Sequence, residues 1–422
     1  MKLERNQPND KNLLLKQLFL TLGLLIFIRI GTFLPVPGID HGHLTFYIQR
    51  HSLTKSLVST FSGNDVFVIG LFTLNIFPYI NASILMQLLV SLIPGLAKLQ
   101  KEGGSEGRRS ITRITRIITL GWALIQSTSV AFYLKRALFN WNLFLAGEIV
   151  LWLTTGAMIV LWLSELITEY GLGNGASLLI YTNIISSLPN LGKKLLEENF
   201  GSYNFLTWLF ISLLFFIAIY GIVLLQEGVR IVPLISSKQL TQITPTFSEF
   251  PKNNYIPLRF NQAGVMPIIL TTAVLVIPNY INSLGLLPIL TLPVLNQSSK
   301  IIYWLSYFIL ILLFSSFYSN IILNPKDISN ELQKMAVSIP GIRPGIATTY
   351  YLKQVMKRVT LLGAIMLAIL ATFPNIMESI LNISSFNGLG TTSLLILVGV
   401  ILDLSREIRS ILLSNIYNDM FN

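Results

Sequence analysis

Apolar stretches of a length suited to crossing a membrane recur along the whole chain. A helix needs roughly 17 to 25 mostly apolar residues to cross the hydrocarbon of a bilayer. About ten stretches approach or reach this length, and they lie near residues 13–34, 71–93, 117–134, 143–167, 176–191, 205–225, 264–281, 301–323, 359–376 and 392–404. The fifth and the tenth are short. The pattern predicts an all-α polytopic membrane protein with ten transmembrane helices.

The composition agrees with lipid as the main solvent. Only 12% of the 422 residues are charged, against about 25% in ordinary globular proteins, which excludes a soluble enzyme. With the N-terminus placed inside, the inner segments carry about three times as many Lys and Arg as the outer segments. This bias predicts that both termini lie inside. The chain has no Cys, which excludes disulfides and thiolate chemistry.

Two inner segments are long and basic, residues 226–262 and 324–358. The positive-inside rule by itself would explain their positive charge. The docking of an anionic partner would explain it equally well. The N-terminus shows no cleavable signal, because residues 1–16 are polar and no small-residue cleavage site follows the first apolar run. We therefore expect a protein that is inserted where it is made or that needs no import.

Two segments near the start of the chain are unusual for simple membrane anchors. Pro78 in the second span removes a backbone hydrogen bond, so we expect a kink there. The preceding segment, residues 61–69, is too short to span and too apolar for an exposed loop, which predicts a re-entrant half-helix. The second span also contains four polar side chains of the kind that normally face a partner helix or water: Asn75, Asn81, Ser83 and Gln87.

The sequence offers few candidates for bound groups. The glycine-rich segment 171–177 has neither the spacing of a dinucleotide fingerprint nor that of a P-loop, so we disfavour nucleotide binding. His41, His43 and His51 lie in the first outer loop. A His-x-His pair can bind a metal, but no third ligand is in view, and loop histidines are the favoured interpretation. No carboxylate pair occupies the middle of a span, which counts against a proton-coupled pump.

Seven short motifs follow one another along nearly the whole chain. They are Phe33-Leu-Pro-Val-Pro-Gly-Ile-Asp40, Phe77-Pro-Tyr-Ile-Asn-Ala-Ser-Ile84, Lys101-Glu-Gly-Gly-Ser-Glu-Gly-Arg-Arg109 in the expected loop after span two, Gly171-Leu-Gly-Asn-Gly-Ala-Ser177, Ile256-Pro-Leu-Arg-Phe-Asn-Gln-Ala-Gly-Val-Met-Pro267, Ile339-Pro-Gly-Ile-Arg-Pro-Gly345 and Gly390-Thr-Thr-Ser-Leu-Leu-Ile396. Any one of them would be a weak signal. In this order they resemble the SecY family, the channel subunits of the Sec protein-translocation machinery.

The resemblance implies an hourglass channel made of two pseudo-symmetric, inverted halves of five spans, residues 1–195 and 196–422. It also implies a plug near residues 59–70 and a lateral gate between spans two and seven, where polar residues weaken the seam and Pro and Gly let it flex. The implied plug residues are Phe61, Ser62, Gly63, Val66, Phe67 and Ile69. The implied gate residues are Asn81, Ser83, Gln87, Gln126, Gly264 and Pro267.

The family's constriction is a ring of bulky aliphatic side chains. A branched apolar ring can seal around an unfolded chain without binding it, and it can exclude ions by dewetting when empty. Isoleucine is abundant in every span of this chain, so the assignment depends on the gap-free motifs around the matching positions. The implied ring residues are Ile76, Ile80, Ile180, Ile184, Ile269 and Ile396.

The resemblance further matches Arg343, in the motif Ile-Arg-Pro-Gly, to the arginine with which the family engages its cytosol-side partner. Arg259 is a second candidate. Many relatives have a basic run after span six, whereas this chain has Arg230 alone at that point. The implied partners are a SecE-type clamp subunit, a possible small third subunit, a SecA-type ATPase and/or a translating ribosome, signal-bearing preproteins and membrane lipid.

The sequence therefore predicts the central subunit of a protein-conducting channel, with no catalytic residue, no metal and no cofactor. Such a channel translocates unfolded polypeptides and releases hydrophobic segments laterally into the membrane. The alternative is a secondary transporter of a small solute built on inverted repeats, although a coherent set of charged midplane ligands is missing. The Cys-free, Ile- and Asn-rich composition favours a plastid thylakoid membrane over a bacterial or cyanobacterial inner membrane.

Overall fold

The described part of the chain is almost entirely helical. The structure, a computed structural model, describes residues 10–37, 70–102, 104–134, 142–199, 205–236, 254–262, 264, 266–268, 270–271, 300–322, 324–381 and 391–421. The helices are α1 (Asp10–Phe33), α2 (Phe77–Leu92), α3 (Pro94–Glu102), α4 (Gly104–Leu134), α5 (Leu143–Tyr170), α6 (Gly175–Asn199), α7 (Phe205–Glu227), α8 (Lys300–Ile322), α9 (Pro325–Lys334), α10 (Ile346–Leu381) and α11 (Thr391–Phe421). The strands are β1 (Val229–Pro233), β2 (Ile235–Ser236), β3 (Tyr255–Arg259) and β4 (Val337–Ser338).

Within this part of the chain, three helices are long and apolar enough to cross a membrane: Leu14–Phe33, Leu143–Tyr170 and Ile346–Phe373. The pair α2 and α3 passes the same test together, with a bend of 106° at the break between them. Large apolar side chains such as Phe19 are exposed on these helices, as expected where lipid replaces water. The chain is thus a helical, integral membrane protein. The full set of ten spans stays a prediction.

The described helices group into two compact units. The first contains Met1–Glu197 together with Val400–Asn422, and the second contains Glu198–Gly399. The core of the first unit includes the fully buried side chains of Leu74, Ile149 and Leu153. Residue Val400 lies within α11, so this helix begins in the second unit and continues in the first. The inverted symmetry of the two predicted halves stays a prediction.

A tight turn joins α5 to α6 in the first unit. A Cβ atom on Gly175 would lie 2.0 Å from the carbonyl oxygen of Ser164, so only glycine allows this approach. The backbone N–H of Gly175 donates to Oγ1 of Thr168 at 2.9 Å, and Thr168 in turn donates to the carbonyl of Ser164 at 3.0 Å. The glycine-rich motif therefore serves close packing of two helices.

The second predicted span begins differently from the expectation. Residues 71–76 form turns, and α2 begins only at Phe77. Asn75 has a φ of 47°, and its Oδ1 accepts a hydrogen bond from the backbone N–H of Ile76 at 2.8 Å. Pro78 therefore lies in the first turn of α2, where a missing N–H leaves no intrahelical bond unmade. The expected kink at Pro78 is wrong, because this proline starts a helix.

In the segment Lys101–Arg109, expected to form a loop, the described residues belong to two helices. α3 ends at Glu102 and α4 begins at Gly104, which has a φ of 52°. A Cβ atom on Gly107 would lie 2.0 Å from the carbonyl oxygen of Leu99. The glycines of this motif therefore allow α4 to begin directly against α3 instead of providing an open loop.

The described parts of the two basic inner segments, expected to be long loops, form a small substructure in the second unit. β1 pairs with β3, and β2 pairs with β4, both antiparallel. These strands, α9 and the first turns of α10 are called the inner platform here. Its core contains Val232, Leu258, Leu332, Ile339, Leu352 and Met356. The pairing of β2 with β4 therefore joins the segment after α7 to the segment before α10.

Candidate partner, pore and gate sites

Arg343 lies exposed on the turn between β4 and α10. Gly341 and Gly345 flank it with φ values of 75° and 109°, a region that glycine tolerates best. Thr348 Oγ1 donates to the carbonyl of Arg343, and Ser329 Oγ donates to the carbonyl of Gly345, both at 2.9 Å. Ser329 and Thr348 are each 2% exposed. The guanidinium group of Arg343 is therefore presented from a turn that buried hydroxyl groups hold in place.

Arg230 and Arg259 lie on opposite faces of the hairpin formed by β1 and β3. Arg230 pairs with Leu258, whereas Arg259 pairs with Val229, and cross-strand partners share a face of the sheet. Leu258 is 1% exposed, so Arg230 shares its face with the platform core, and Arg259 projects from the outer face. Both arginines are exposed. A single flat partner surface cannot contact both faces of the hairpin.

The gate residues in the first unit lie on α2 and α4. Asn81 and Ser83 are half-buried and Gln87 is exposed. The hydroxyl of Ser83 donates to the carbonyl of Ile80 at 2.9 Å, within its own helix. Gln126 on α4 is half-buried, and its Oε1 atom has no hydrogen-bond partner among the described residues. Among these gate residues, Gln126 on α4 therefore has an oxygen that the described packing leaves without a hydrogen bond.

Two gate residues belong to the start of the predicted seventh span in the second unit. Gly264 has a φ of 61°, and a Cβ atom there would meet nothing within 4 Å. Pro267 is buried, and its carbonyl accepts a hydrogen bond of 2.7 Å from Thr271 Oγ1. Residues 266–268 and 270–271 are helical. The backbone is therefore left-handed at Gly264, and Pro267 lies among the helical residues that follow.

Five of the predicted ring residues are described: Ile76 in the turn just before α2, Ile80 in α2, Ile180 and Ile184 in α6, and Ile396 in α11. Ile76 and Ile80 are 1% and 8% exposed, and the N–H of Ile80 donates to the carbonyl of Ile76 at 3.1 Å. Ile180 and Ile184, one turn apart on α6, are half-buried, as is Ile396 on α11. Residues four apart share a helix face. The structure thus brings Ile76 and Ile80 together where α2 begins, and Ile180 and Ile184 together on α6, and the closed ring stays a prediction.

Several predicted residues lie outside the part of the chain that the structure describes. These are the six plug residues Phe61, Ser62, Gly63, Val66, Phe67 and Ile69, the ring residue Ile269, and the histidines His41, His43 and His51. Among the described residues, no group of three or more His, Asp or Glu side chains is arranged to hold a metal ion.

Arg116 and Glu165 form a two-pronged ion pair between α4 and α5. Arg116 Nε lies 2.9 Å from Glu165 Oε1, and Nη2 lies 2.8 Å from Oε2. These hydrogen bonds raise the pKa of Arg116 above its ordinary value. The arginine side chain is 51% exposed and the glutamate 24%, so the pair lies at the surface of the helix pair. In α1, Arg29 donates to Ser186 of α6 and lies 5.1 Å from the ring centroid of Phe33.

A set of contacts around Phe260 was not predicted from the sequence. The N–H of Phe260 donates to the carbonyl of Gly228 at 3.0 Å, which extends the β1–β3 ladder to the end of α7. A Cβ atom on Gly363 of α10 would lie 2.0 Å from the carbonyl oxygen of Phe260. Two residues later, Gln262 accepts a hydrogen bond from Ser319 of α8 at 3.0 Å. The only sequence signal for this cluster is a serine within an apolar span.

The fold and these sites define a polytopic helical membrane protein with a basic platform, followed in the chain by glycine and proline at the start of a predicted span. The sequence model of the SecY family matches residues 70–405. The chain belongs to the SecY family.

Known proteins support this assignment over nearly the full length. A protein translocase subunit SecY from Trieres chinensis is 71% identical over 423 residues, which covers 99% of this chain and 100% of that relative. The same-named protein of Synechococcus elongatus is 42% identical and covers 96% of this chain and 93% of its own. A solved structure described as a protein conducting channel has a TM-score of 0.65 at 18% identity, with 98% and 96% of the two chains covered. Sec61 in a canine ribosome-channel complex has a TM-score of 0.60 at 18% identity, also with 98% and 96% covered.

Proposed function

We propose that this chain is the central, channel-forming subunit of a protein-conducting channel. It translocates unfolded polypeptides across the membrane and releases hydrophobic segments laterally into the lipid. The observation that carries the proposal is the 71% identity to a protein translocase subunit over the whole length of both chains. A secondary transporter of a small solute is not favoured, because the compared relatives are named as translocase subunits.

The proposed pore constriction is the ring of Ile76, Ile80, Ile180, Ile184, Ile269 and Ile396. Two contacts support it: Ile76 and Ile80 are joined by a backbone hydrogen bond where α2 begins, and Ile180 and Ile184 lie one turn apart on one face of α6. Such side chains offer a passing polypeptide no hydrogen bond and no charge, so they seal around it without holding it. When the pore is empty, an apolar constriction excludes water and ions by dewetting.

The proposed lateral gate lies between spans two and seven. Polar side chains on one helix and a bent start of the other support it, because polar groups weaken a helix seam and a bend gives it a place to flex. The segment 61–69 would act as the plug that closes the empty pore. Neither element needs a catalytic group, so the work of translocation comes from a partner.

The proposed partner site is the inner platform, with Arg343 at its tip. An exposed arginine on a turn fixed by buried hydrogen bonds suits the recognition of a carboxylate or phosphate group. A SecA-type ATPase or a translating ribosome would present such groups, and the similarity to Sec61 in a ribosome-channel complex supports the second. Of the two hairpin arginines, Arg259 projects from the outer face and Arg230 from the core face. A SecE-type subunit would clamp the helices, with a possible third small subunit.

We place the protein in the plastid thylakoid membrane, with both termini on the stromal side. The excess of Lys and Arg in the inner segments supports this orientation. Full-length relatives in Trieres chinensis and in Porphyra purpurea support the plastid. A bacterial-type inner membrane is the second candidate, because a relative from Synechococcus elongatus is 42% identical.

Ion conductance across planar bilayers tests the channel proposal against the transporter. The purified chain is reconstituted with a SecE-type subunit, and current is recorded before and after addition of a signal-bearing preprotein. We expect a closed channel that the preprotein opens, while a preprotein without its signal leaves the current unchanged. Saturable uptake of a small solute, with no effect of any polypeptide on the current, would overturn the proposal.

A further inference from the structure

The exposed face of α10 carries two large apolar side chains where the helix leaves the turn of Arg343. Ile346 is 91% exposed, the highest value among the large apolar side chains that the structure describes, and Tyr350 is 71% exposed. The two lie four residues apart in the first turns of α10, so they share one face of the helix. An apolar pair with this exposure to water is typical of a surface that a partner covers.

Lipid does not cover this pair. Lys353, Lys357 and Arg358 follow on α10, and all three are exposed. Charged side chains this close together do not enter the hydrocarbon of a bilayer. The predicted span begins only at residue 359, about 13 residues after Ile346, which corresponds to about 20 Å along the helix axis. The pair therefore lies on the aqueous side of the inner platform.

The opposite face of the same turns is fixed in the platform core. Thr348 and Leu352 are 2% and 0% exposed, and Leu352 packs in the core of the inner platform. Thr348 also donates a hydrogen bond to the carbonyl of Arg343. Ile346 and Tyr350 are therefore held beside the arginine by a buried helix face, so little conformational freedom is lost when a partner covers them.

The charge around the pair is positive. The segment from Gly341 to Arg358 contains no acidic residue, and its basic residues are Arg343, Lys353, Lys357 and Arg358. All of these basic side chains are exposed, and none of them forms an ion pair with another residue that the structure describes. A surface that complements this one combines carboxylates with an apolar centre.

The apolar pair distinguishes a protein partner from an RNA partner. RNA is bound mainly through backbone contacts with basic side chains and through stacking of its bases on aromatic rings or guanidinium planes. Arg343 and Tyr350 suit either partner, but the aliphatic side chain of Ile346 offers RNA neither kind of contact. Interfaces between proteins, in contrast, place Tyr and Arg in an apolar centre that excludes water. The chemistry of this surface therefore favours a protein.

We infer that Arg343, Ile346 and Tyr350 form the centre of a docking surface for a protein partner. The partner covers the apolar pair with apolar side chains of its own and pairs carboxylates with the surrounding cations. The inference rests on the proposed function, because it specifies the partner of the inner platform. It selects the surface of a motor protein, such as a SecA-type ATPase, over the RNA of a ribosome.

Equilibrium binding of two candidate partners tests the docking surface. The complex of the chain with a SecE-type subunit is reconstituted in nanodiscs and titrated with a purified SecA-type ATPase, and in a separate series with ribosomes. The test variant is the double substitution Ile346→Ala, Tyr350→Ala. The matched control is Ile231→Ala, Tyr255→Ala, which changes the same two residue types on the hairpin of the platform, where they are 61% and 49% exposed.

We expect the dissociation constant for the ATPase to rise at least about tenfold in the test variant, because two central apolar contacts are lost. The control should stay within about twofold, and so should ribosome binding by both variants, since contacts with RNA phosphates do not involve these side chains. Unchanged ATPase affinity in the test variant, or an equal loss in the control, would overturn the inference. A loss confined to ribosome binding would overturn it in favour of the ribosome.

The salt dependence of ATPase binding gives a second readout, which separates the apolar contacts from the charged ones. We expect Arg343→Ala to flatten the dependence of the dissociation constant on ionic strength, because salt screens charge pairs. The double variant Ile346→Ala, Tyr350→Ala should keep the slope of the unaltered chain while binding more weakly. Equal flattening in both variants would mean that the apolar pair only positions the arginine, and it would overturn the pair's role as a contact.

Transport of a preprotein by the same complexes separates a failure of this inference from a failure of the proposed function. If the unaltered complex shows no ATP-dependent transport, the proposed function fails, and the inference fails with it. If the unaltered complex and the double variant bind the ATPase and transport equally well, the channel stands and only the docking surface is wrong. A complex that transports without binding the ATPase would likewise overturn the docking surface alone.

Discussion

Arg343 owes its position to residues that carry no charge. Its turn needs two glycines with positive φ and two hydroxyl groups that are 2% exposed. The sequence indicated the arginine and its Pro-Gly setting, because turn residues have strong local preferences. It could not indicate Ser329, which is bonded to Gly345 only through the packing of α9 against α10.

Reversing the charge of Arg343 tests the proposed contact with a partner. We expect Arg343→Glu to abolish translocation, because a carboxylate repels the anionic group that an arginine would bind. The channel should stay assembled, since the side chain is exposed. Transport by proteoliposomes and co-purification of the SecE-type subunit are the two measurements. The matched control is Lys98→Glu, the same charge change at an exposed position of α3 outside the inner platform, and equal losses in both variants would argue against a specific contact.

A second prediction about single residues concerns the isoleucines of the proposed ring. We expect Ile80→Asn to raise ion leak and to admit preproteins with weak signals, because an amide in a dry constriction holds water there. Ile396→Asn should act in the same direction, and the conservative variant Ile80→Val should not. Conductance of the resting channel and transport of a signal-defective preprotein are measured. Should neither quantity change, the ring assignment is wrong.

At the scale of elements, the apolar runs predicted the long helices well, because burial in lipid demands both length and hydrophobicity. α5 and α10 appear where runs were found, at Leu143–Tyr170 and Ile346–Leu381. Features that depend on neighbouring elements were missed or misread. Pro78 lies in the first turn of a helix because the preceding residues form turns. The described residues of Lys101–Arg109 are helical, and Gly107 allows a close approach to α3.

The hairpin of β1 and β3 is the clearest element that the sequence did not predict. Each strand is only five residues long, which is too short for a reliable alternation pattern. Its stability comes from packing on α9 and α10. Leu258 and Leu352, which are 1% and 0% exposed, connect the hairpin to α10. The platform is therefore defined by tertiary contacts between segments far apart in sequence.

Truncation of the buried leucine tests whether the platform folds as one substructure. We expect Leu258→Ala to destabilise the platform by about 2–5 kcal/mol, because it removes a fully buried side chain. Limited proteolysis of the purified complex should then cut within the inner segments. Ile231→Ala on the same hairpin, where the side chain is 61% exposed, should leave the cleavage rate unchanged. Equal cleavage of both variants would mean that the core of the platform does not hold the hairpin.

At the scale of the whole molecule, the two compact units and the family match describe a membrane protein of the SecY type. The sequence predicted this because its motifs lie in family order along nearly the whole chain. Pore, plug and gate are properties of several helices acting together, so a single sequence predicts their residues and cannot predict their geometry. The proposed passive channel therefore has to be tested by transport.

The most direct test is transport of a signal-bearing preprotein by reconstituted vesicles. The chain is purified with a SecE-type subunit, inserted into liposomes and supplied with a SecA-type ATPase. Protection of the preprotein from added protease is then measured with ATP and without it. We predict ATP-dependent protection that requires an intact signal and disappears when the chain is omitted. Protection that is absent with ATP, or equal in vesicles lacking the chain, would contradict a protein-conducting channel.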